Sequence, residues 1–239
     1  MQPQTQGAGQ RNTQASIDGL CKTIHGLVFG LPELSSPGAV PFTNGLYLFF
    51  QAGEVCVHST GGRIVRVGNH PRSQDRLRAR LQQHYSGKKN CSVFRKHLGG
   101  ALLRRSDPNN PCLLPGPGKG HWERQDAKTC PSCASIEREV SALLFSDFRL
   151  RCIEVIDKSL RNRIEEGLVA TLSLCRACHP SRSWLGQYAY NDAVRRSGLW
   201  NSDYVHDQSR LLSEDEIATL SSLIEDTIRQ YWPARRVSP

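Results

Sequence analysis

Short runs of apolar residues predict a small β-sheet in the first half of the chain. Residues 45–50 read Gly-Leu-Tyr-Leu-Phe-Phe, an aromatic-rich run that is typical of a buried strand. Two further runs, at 55–57 and 64–67, flank the Gly61-Gly62 pair, which predicts an antiparallel pair or a meander. A later segment, 148–156, alternates apolar and polar residues and predicts another strand.

Apolar residues repeat at helical spacing in several other segments. Leu77 and Leu81 mark the inner face of one predicted helix, and Ser73 is placed to cap it. The last helix begins with a capping box, since Ser213 precedes Glu216 by three residues. The predicted helices span about 75–85, 92–103, 134–145, 159–173 and 213–231. Residues 17–41 and 174–212 predict no long regular element.

This order of elements predicts the α/β class, of the α+β type, with a small mixed, mainly antiparallel sheet flanked by helices. Residues 1–16 are rich in Gln, Gly and Thr and have no apolar run, so they predict a disordered tail. They also lack a secretory pattern, and no segment approaches the roughly 18 apolar residues of a membrane span. We therefore expect a cytoplasmic protein that has no membrane partner.

Positive charge is concentrated between residues 63 and 105. This stretch holds twelve Lys and Arg residues against the single acid Asp75, a local excess of +11 in a chain of net charge +9. A concentrated basic surface binds a polyanion, since each neutralised phosphate releases counterions. A solubilising face is the other interpretation, but such faces usually mix both signs. We predict a surface for DNA, with RNA not excluded, that includes Arg66, Arg72, Arg76, Arg78, Lys88, Lys89, Arg95 and Lys96.

Four short motifs follow one another in a particular order. Gly-Leu-Tyr ends at Tyr47, and Arg-Val-Gly begins at Arg66. Arg80 and His84 lie one turn apart on a predicted helix, and Glu165 lies in Ile-Glu-x-x-Leu-Val. This set resembles the GIY-YIG nuclease superfamily, with its two signature tripeptides, its arginine helix with the histidine of some restriction-type members, and its glutamate helix. Each motif alone is weak, and the order of all four carries the resemblance.

The resemblance also suggests how the chain is divided. A lead-in segment at 17–43 would precede a GIY-YIG-like nuclease domain at about 44–185. That domain would hold a cysteine-tied insertion at 105–133. A C-terminal helical extension would follow at 186–239.

The resemblance implies a metal-dependent endonuclease that hydrolyses DNA phosphodiester bonds. Glu165 would hold Mg²⁺ or Mn²⁺, because hard divalent ions prefer carboxylate oxygens. Arg80 would clamp the scissile phosphate with its planar fork of donors. Tyr47 would orient the attacking water or accept its proton, and His84 would assist as a proton shuttle.

Two departures from the family pattern keep a second function open. The second tripeptide usually begins with Tyr, and Arg66 stands there instead. The asparagine that many members have after the glutamate helix would fall near Ser183, and Asn191 and Asn201 are later candidates. The alternative function is a nucleic-acid-binding module that kept the fold and lost turnover.

Ordinary structural roles compete with each predicted catalytic role. Tyr47 can be a strand aromatic, Arg80 one more phosphate contact, and His84 a structural hydrogen-bond partner. Helical geometry favours Glu165 over its neighbour Glu166. With Leu160, Ile164, Leu168, Thr171 and Leu172 as the inner face of their helix, Glu165 lies at its edge and Glu166 nearly opposite.

The nine cysteines suggest metal binding more than disulfides in a cytoplasmic protein. Two C-x₂-C pairs, Cys130 with Cys133 and Cys175 with Cys178, would form a tetrahedral zinc site if their loops converged. His121 or His179 could replace one cysteine. The alternative is four thiols without a metal in two turns. Such a zinc would be structural, because four protein ligands leave no open position.

Overall fold

The computed structural model of the chain describes residues 6–59, 61–70, 75–113, 122 and 131–235. These residues form helices and strands in an order that belongs to the α+β class, as the hydrophobic pattern predicts. In chain order they are α1 (Gln6–Phe29), β1 (Gly45–Val55), β2 (Gly62–Asn69), α2 (Leu77–Ser86), α3 (Val93–Ser106), α4 (Pro131–Ser146), β3 (Phe148–Glu154), α5 (Lys158–Leu174), α6 (Asp192–Ser197) and α7 (Glu214–Tyr231).

The three strands form one sheet in the order β2-β1-β3. Both pairings are antiparallel, so the sheet is antiparallel throughout the described residues. The prediction was a mixed sheet that is mainly antiparallel. The strand predicted at 55–57 is the end of β1 and the start of the turn to β2. β1 is the central strand, and Tyr47 on it pairs with Gly68 on one side and Cys152 on the other.

Helices cover both faces of the sheet. Tyr47 and Phe49 point to one face, where they pack with side chains of α2, α3 and α4; this is called the α3 side below. Leu46 and Leu48 point to the opposite face, which packs with α1, α5 and α7 and is called the α1 side. The period of two along β1 therefore divides the apolar residues into two cores.

Helix α1 corrects two predictions about the N-terminal segment. It begins at Gln6 and runs to Phe29, through the end of the predicted tail and into the predicted lead-in. Cys21, Ile24 and Val28 are fully buried on its inner face, at the spacing of one helical stripe. Arg151 from β3 donates hydrogen bonds to the carbonyls at the end of the helix, including that of Val28 at 3.2 Å. Ile17, Cys21, Ile24 and Val28 already repeat at helical spacing in the sequence, so the prediction overlooked a signal that was present.

The segment after α5 is partly irregular, as predicted, but it covers the outer edge of β2. The backbone N–H of Trp200 donates to the carbonyl of Val65 at 2.7 Å. The Asn201 side chain accepts from the N–H of Val67 at 3.1 Å and donates to its carbonyl at 2.8 Å. These bonds satisfy backbone groups that an open sheet edge would leave exposed. They also fix residues 200–201 beside β2.

Two further predictions concern the insertion and the last helix. Most of the predicted insertion lies outside the described residues, but Trp122 is fully buried there and its indole donates to the Lys96 carbonyl at 2.8 Å. The predicted capping box at Ser213 and Glu216 is confirmed, with both reciprocal bonds present. None of the helices in the described part of the chain is long and apolar enough to cross a membrane.

Candidate active site

Tyr47 is held on β1 by its partner on β2. It pairs directly with Gly68, and a Cβ atom at position 68 would overlap the phenol of Tyr47. The glycine of the second tripeptide therefore leaves room for the tyrosine of the first. This is a close approach that only glycine allows.

A buried hydrogen-bond chain supports the Tyr47 hydroxyl. Its oxygen lies 2.7 Å from Nε2 of His84 on α2, and Nδ1 of His84 lies 2.7 Å from Oγ of Ser92. Ser92 also caps α3, since its oxygen accepts from the Arg95 N–H at 3.1 Å. Burial, together with the charges of neighbouring arginines, holds the pKa of His84 well below its usual value. His84 is therefore neutral, and it lies behind Tyr47, which separates it from the cavity described below.

Glu165 projects from the middle of α5 towards the start of the loop after β2. The backbone N–H of Asn69 donates to it, and burial raises the pKa of Glu165 to about 7 against the pull of Arg66. Its neighbour Glu166 instead pairs with Arg210. The two glutamates thus have different partners.

Two arginines bring positive charge to the same place. Arg80 on α2 donates from Nη1 to the Cys91 carbonyl at 2.8 Å and to Gln83 at 3.1 Å. Arg66 on β2 is buried, donates to the Trp200 carbonyl and has its guanidinium carbon 4.8 Å from the centre of the Phe94 ring. The Nε atoms of both arginines are buried and have no hydrogen-bond partner among the described residues.

These side chains meet around one cavity of about 410 Å³. Its lining comes from strands β1 and β2, from helices α2, α3 and α5, and from residues 201–204. The described residues that line it are Tyr47, Arg66, Asn69, Arg80, Val93, Glu165, Asn201, Ser202, Asp203 and Tyr204. Three of the four predicted catalytic residues line the cavity, and the fourth, His84, reaches it only through Tyr47.

Several cavity residues were not predicted. Asn69 directly follows Gly68, and Asp203 and Tyr204 follow Asn201 in the C-terminal segment. Of the three candidates for the family asparagine, only Asn201 lines the cavity. Asn191 caps α6, and Ser183 hydrogen-bonds to Ser181. The Trp-Asn sequence at 200–201 was a distinctive signal, but its position beside β2 depends on the tertiary fold.

The predicted nucleic-acid surface needs correction, because some of its basic residues are internal. Arg95 is buried and bonds to Glu137 at 2.7 Å, and Lys89 is buried with its ammonium 5.6 Å from the centre of the Trp122 ring. Both side chains are therefore unavailable to phosphates. Arg66 is also buried, but it lines the cavity. Arg76, Arg78 and Lys88 are exposed, Lys96 is half-buried, and Arg72 lies outside the described residues.

The predicted four-cysteine zinc site is wrong in its ligand set. Cys133 packs on the α3 side, with its sulfur 3.7 Å from that of Cys112. Cys175 and Cys178 lie on the α1 side, where Cys178 contacts Cys56 at 3.3 Å. The sheet lies between Cys133 and the pair of Cys175 and Cys178, whereas Cys130 and His121 lie outside the described residues. His179 is exposed.

The thiols on the α1 side shift one another's pKa. Hydrogen bonds from Cys21 and Cys56 lower the pKa of Cys178 to about 4. A hydrogen bond from Cys21 likewise lowers the pKa of Cys175 to about 7. Donation to Cys178 raises the pKa of Cys56 to about 11. The hydrogen bonds therefore favour the thiolate form at Cys175 and Cys178 over that at Cys56.

An antiparallel three-stranded sheet thus lies between helices, and a tyrosine, an arginine and a glutamate surround one cavity. The GIY-YIG domain family model matches residues 17–230, and the chain belongs to this family, a family of nucleases. No curated protein and no solved structure matches the chain.

Proposed function

We propose that the protein is a divalent-metal-dependent endonuclease that hydrolyses DNA phosphodiester bonds. The observation that supports it best is the meeting of Tyr47, Arg80 and Glu165 around one cavity, from three elements far apart in the chain. A proton acceptor, a phosphate clamp and a metal ligand are the groups that phosphodiester hydrolysis needs.

The oxygen donors around the cavity suit a hard divalent cation such as Mg²⁺ or Mn²⁺. Glu165 would be its protein ligand, and the exposed carboxylate of Asp203 lines the same cavity. Burial favours the protonated form of Glu165 and makes its ionised form unfavourable. A bound cation would offset this cost of ionisation. Such an ion polarises a phosphoryl oxygen and neutralises the charge that develops on it.

Tyr47 would orient the attacking water and accept its proton while its own phenolic proton passes to Nε2 of His84. Tyr47 lines the cavity, and its hydrogen bond to His84 fixes the phenolic oxygen. Because His84 is neutral, one ring nitrogen is a donor and the other an acceptor. The imidazole can therefore donate to the phenolic oxygen or accept from it. His84 thus fixes the phenol and takes its proton in this proposal, and it has no direct contact with substrate.

Arg80 would clamp the scissile phosphate. Its Nη1 is held by the Cys91 carbonyl, which fixes the guanidinium beside the cavity, where its charge would meet a phosphate oxygen. Arg66 adds a second fixed cation beside the cavity, at the place where the family pattern has a tyrosine. Fixed charges that need no reorganisation stabilise a transition state more than mobile ones.

The alternative function is a catalytically weakened nucleic-acid-binding module, and one observation favours it. Arg66 is held by the Trp200 carbonyl and by the Phe94 ring, so it has a structural role that a tyrosine hydroxyl would not fill. A module of this kind would bind nucleic acid through its exposed cations and turn over slowly or not at all.

Cleavage of supercoiled plasmid distinguishes the two functions. Purified protein should nick the plasmid with Mg²⁺ or Mn²⁺ and should stop when a chelator is added. Glu165→Gln should abolish nicking while binding to labelled duplex is retained, and Glu166→Gln, which changes the neighbouring carboxylate, should remain active. Binding without metal-dependent nicking by the wild-type protein would favour the module. Cleavage of labelled RNA in place of DNA would change the substrate class.

A further inference from the structure

Six cysteine and histidine side chains from three segments meet on the α1 side of the sheet. Helix α1 supplies Cys21 and His25, one turn apart on its buried face. The turn between β1 and β2 supplies Cys56 and His58. The loop that follows α5 supplies Cys175 and Cys178, a C-x₂-C pair. The cluster is separate from the cavity of the proposed nuclease.

Two sets of three donor atoms in this cluster, which share Cys21, lie close enough together to hold a metal ion. Sulfurs of Cys21 and Cys175 and a ring nitrogen of His58 are all within 4.8 Å of one another, and Cys21 is within the same distance of Cys178. Nε2 of His58 lies 3.3 Å from the sulfur of Cys175. Tetrahedral zinc, with Zn–S near 2.3 Å, holds two sulfurs about 3.8 Å apart.

The cluster is not a set of disulfides. Cys21, Cys56, Cys175 and Cys178 are all free thiols, although the sulfurs of Cys56 and Cys178 are 3.3 Å apart. Thiolate and imidazole donors without carboxylates are typical of zinc sites.

Hydrogen bonding excludes His25 as a ligand. Its Nδ1 lies 2.9 Å from the Cys21 carbonyl, to which it can only donate, and its Nε2 accepts from the Ile64 N–H at 3.3 Å. Both ring nitrogens are used, so His25 positions the cluster. His58 differs, because its Nε2 points at the sulfur of Cys175. Cys56 already accepts the N–H of His58 at 3.4 Å, and it belongs to neither set of three donors within 4.8 Å of one another.

We propose that Cys21, His58, Cys175 and Cys178 bind one zinc ion. Four protein ligands complete a tetrahedral shell, so the ion is structural and does not take part in phosphodiester hydrolysis. Binding displaces the remaining thiol protons, which leave to solvent. The ion joins α1, the β1–β2 turn and the end of α5.

Existing contacts show that these segments already depend on one another. The Asp18 carboxylate of α1 accepts the Arg176 N–H at 3.2 Å, inside the C-x₂-C pair. Three residues after the pair, the Ser181 N–H donates at 3.1 Å to Glu54, which forms a buried ion pair with Arg63. Arg63 also donates to the Gly198 carbonyl at 2.6 Å. Zinc at the start of this segment would therefore help to fix its end, where Asn201 reaches the cavity.

Metal analysis of the full-length protein tests the proposal. Wild-type protein purified without chelator should carry zinc, and Cys21→Ser and Cys178→Ser should each lose about one equivalent relative to it. The double variant should lose no more than either single variant, because both changes remove the same site. Cys91→Ser on the surface and Cys152→Ala on the α3 side are matched controls that should keep the wild-type content. Wild-type protein without zinc, or with iron in its place, would overturn the proposal.

Variants at residues 56 and 58 test the fourth ligand. His58→Ala should lose the zinc, whereas Cys56→Ser should keep it. The opposite result would replace His58 by Cys56 and refute this ligand set.

Thiol alkylation of the wild-type protein tests the site without any variant. With zinc bound, peptides that contain Cys21, Cys175 and Cys178 should be protected, and a chelator should make them reactive. Cys152 should be unaffected. Equal alkylation of the three thiols with and without zinc would contradict the proposal even if every cysteine variant failed to fold. Neither result depends on nuclease activity.

Discussion

The phenolic oxygen of Tyr47 lies 2.7 Å from Nε2 of His84, and the pair is buried between the central strand and α2. The other ring nitrogen bonds to Ser92, so the histidine has no free edge. Because its pKa is held well below the usual value, the ring is neutral through the physiological range. The pair therefore holds the tyrosine oxygen in place, and the histidine adds no charge to the site.

Removal of the Tyr47 hydroxyl should abolish most cleavage without unfolding the protein. We expect Tyr47→Phe to lower the rate by about 10²- to 10⁴-fold, the range of a lost general acid–base group. Duplex binding should be nearly unchanged. Tyr85→Phe is the matched control, since Tyr85 is also buried on the α3 side but does not line the cavity. Similar losses in both variants would show that the effect comes from packing.

Cleavage should depend on the ionisation of Glu165. Its pKa is about 7, so the metal-binding carboxylate form declines as pH falls through neutrality. At low Mg²⁺ concentration the rate should rise with pH and reach half of its maximum near pH 7. At high Mg²⁺ concentration the midpoint should move to lower pH, because the metal competes with the proton. A pH profile whose midpoint is insensitive to Mg²⁺ would contradict this assignment.

The same carboxylate should destabilise the metal-free fold at high pH. The pKa of Glu165 is raised in the folded state from 4.5 to about 7, so the folded protein binds the proton more tightly than the unfolded chain. Its favourable contribution is complete below pH 4.5 and is lost as pH rises through 7. Glu165→Gln should therefore gain thermal stability over the wild type between about pH 5 and pH 8. Glu166→Gln should show no matching gain in the same melting experiments.

A methyl group at position 68 should disturb the tyrosine. Gly68→Ala places a Cβ atom where it overlaps the Tyr47 phenol, and overpacking of this kind costs about 1–3 kcal/mol of unfolding free energy. Urea denaturation measures that cost, and cleavage should fall with it. Gly26→Ala on α1 is the control, because a Cβ there meets nothing within 4 Å. A stable and fully active Gly68→Ala variant would show that the close approach of residue 68 does not position Tyr47.

Two adjacent lysines should have different effects on DNA binding. Lys88 is exposed, whereas Lys89 is buried beside Trp122. Lys88→Ala should lower the slope of log affinity against log salt by about one unit if it contacts one phosphate. Lys89→Ala should leave the slope unchanged and lower the melting temperature. Filter binding at several salt concentrations measures the slope, and melting curves measure the stability. A changed slope for Lys89→Ala with none for Lys88→Ala would contradict the two assigned roles.

Local patterns in the sequence predicted the strands of the sheet and most of the helices. The four motifs were likewise visible along the chain, in their order. A period of two marks strands, a period near 3.6 marks helices, and both depend only on neighbouring residues. The same geometry selected Glu165 over Glu166 on a single helix. The capping box at Ser213 is equally local. The family match and the α+β fold agree with these predictions.

Only the tertiary structure decided which distant residues meet. Asn201 reaches the cavity because its segment bonds to the edge of β2, and Cys21 meets Cys175 because α1 and α5 share one face of the sheet. Arg95 and Lys89 read as surface charges in a basic stretch, yet Glu137 and Trp122, distant in sequence, surround them. Charge and spacing along the chain do not reveal burial or pairing across it. Those depend on long-range packing, in which each side of the sheet gathers residues from separate elements.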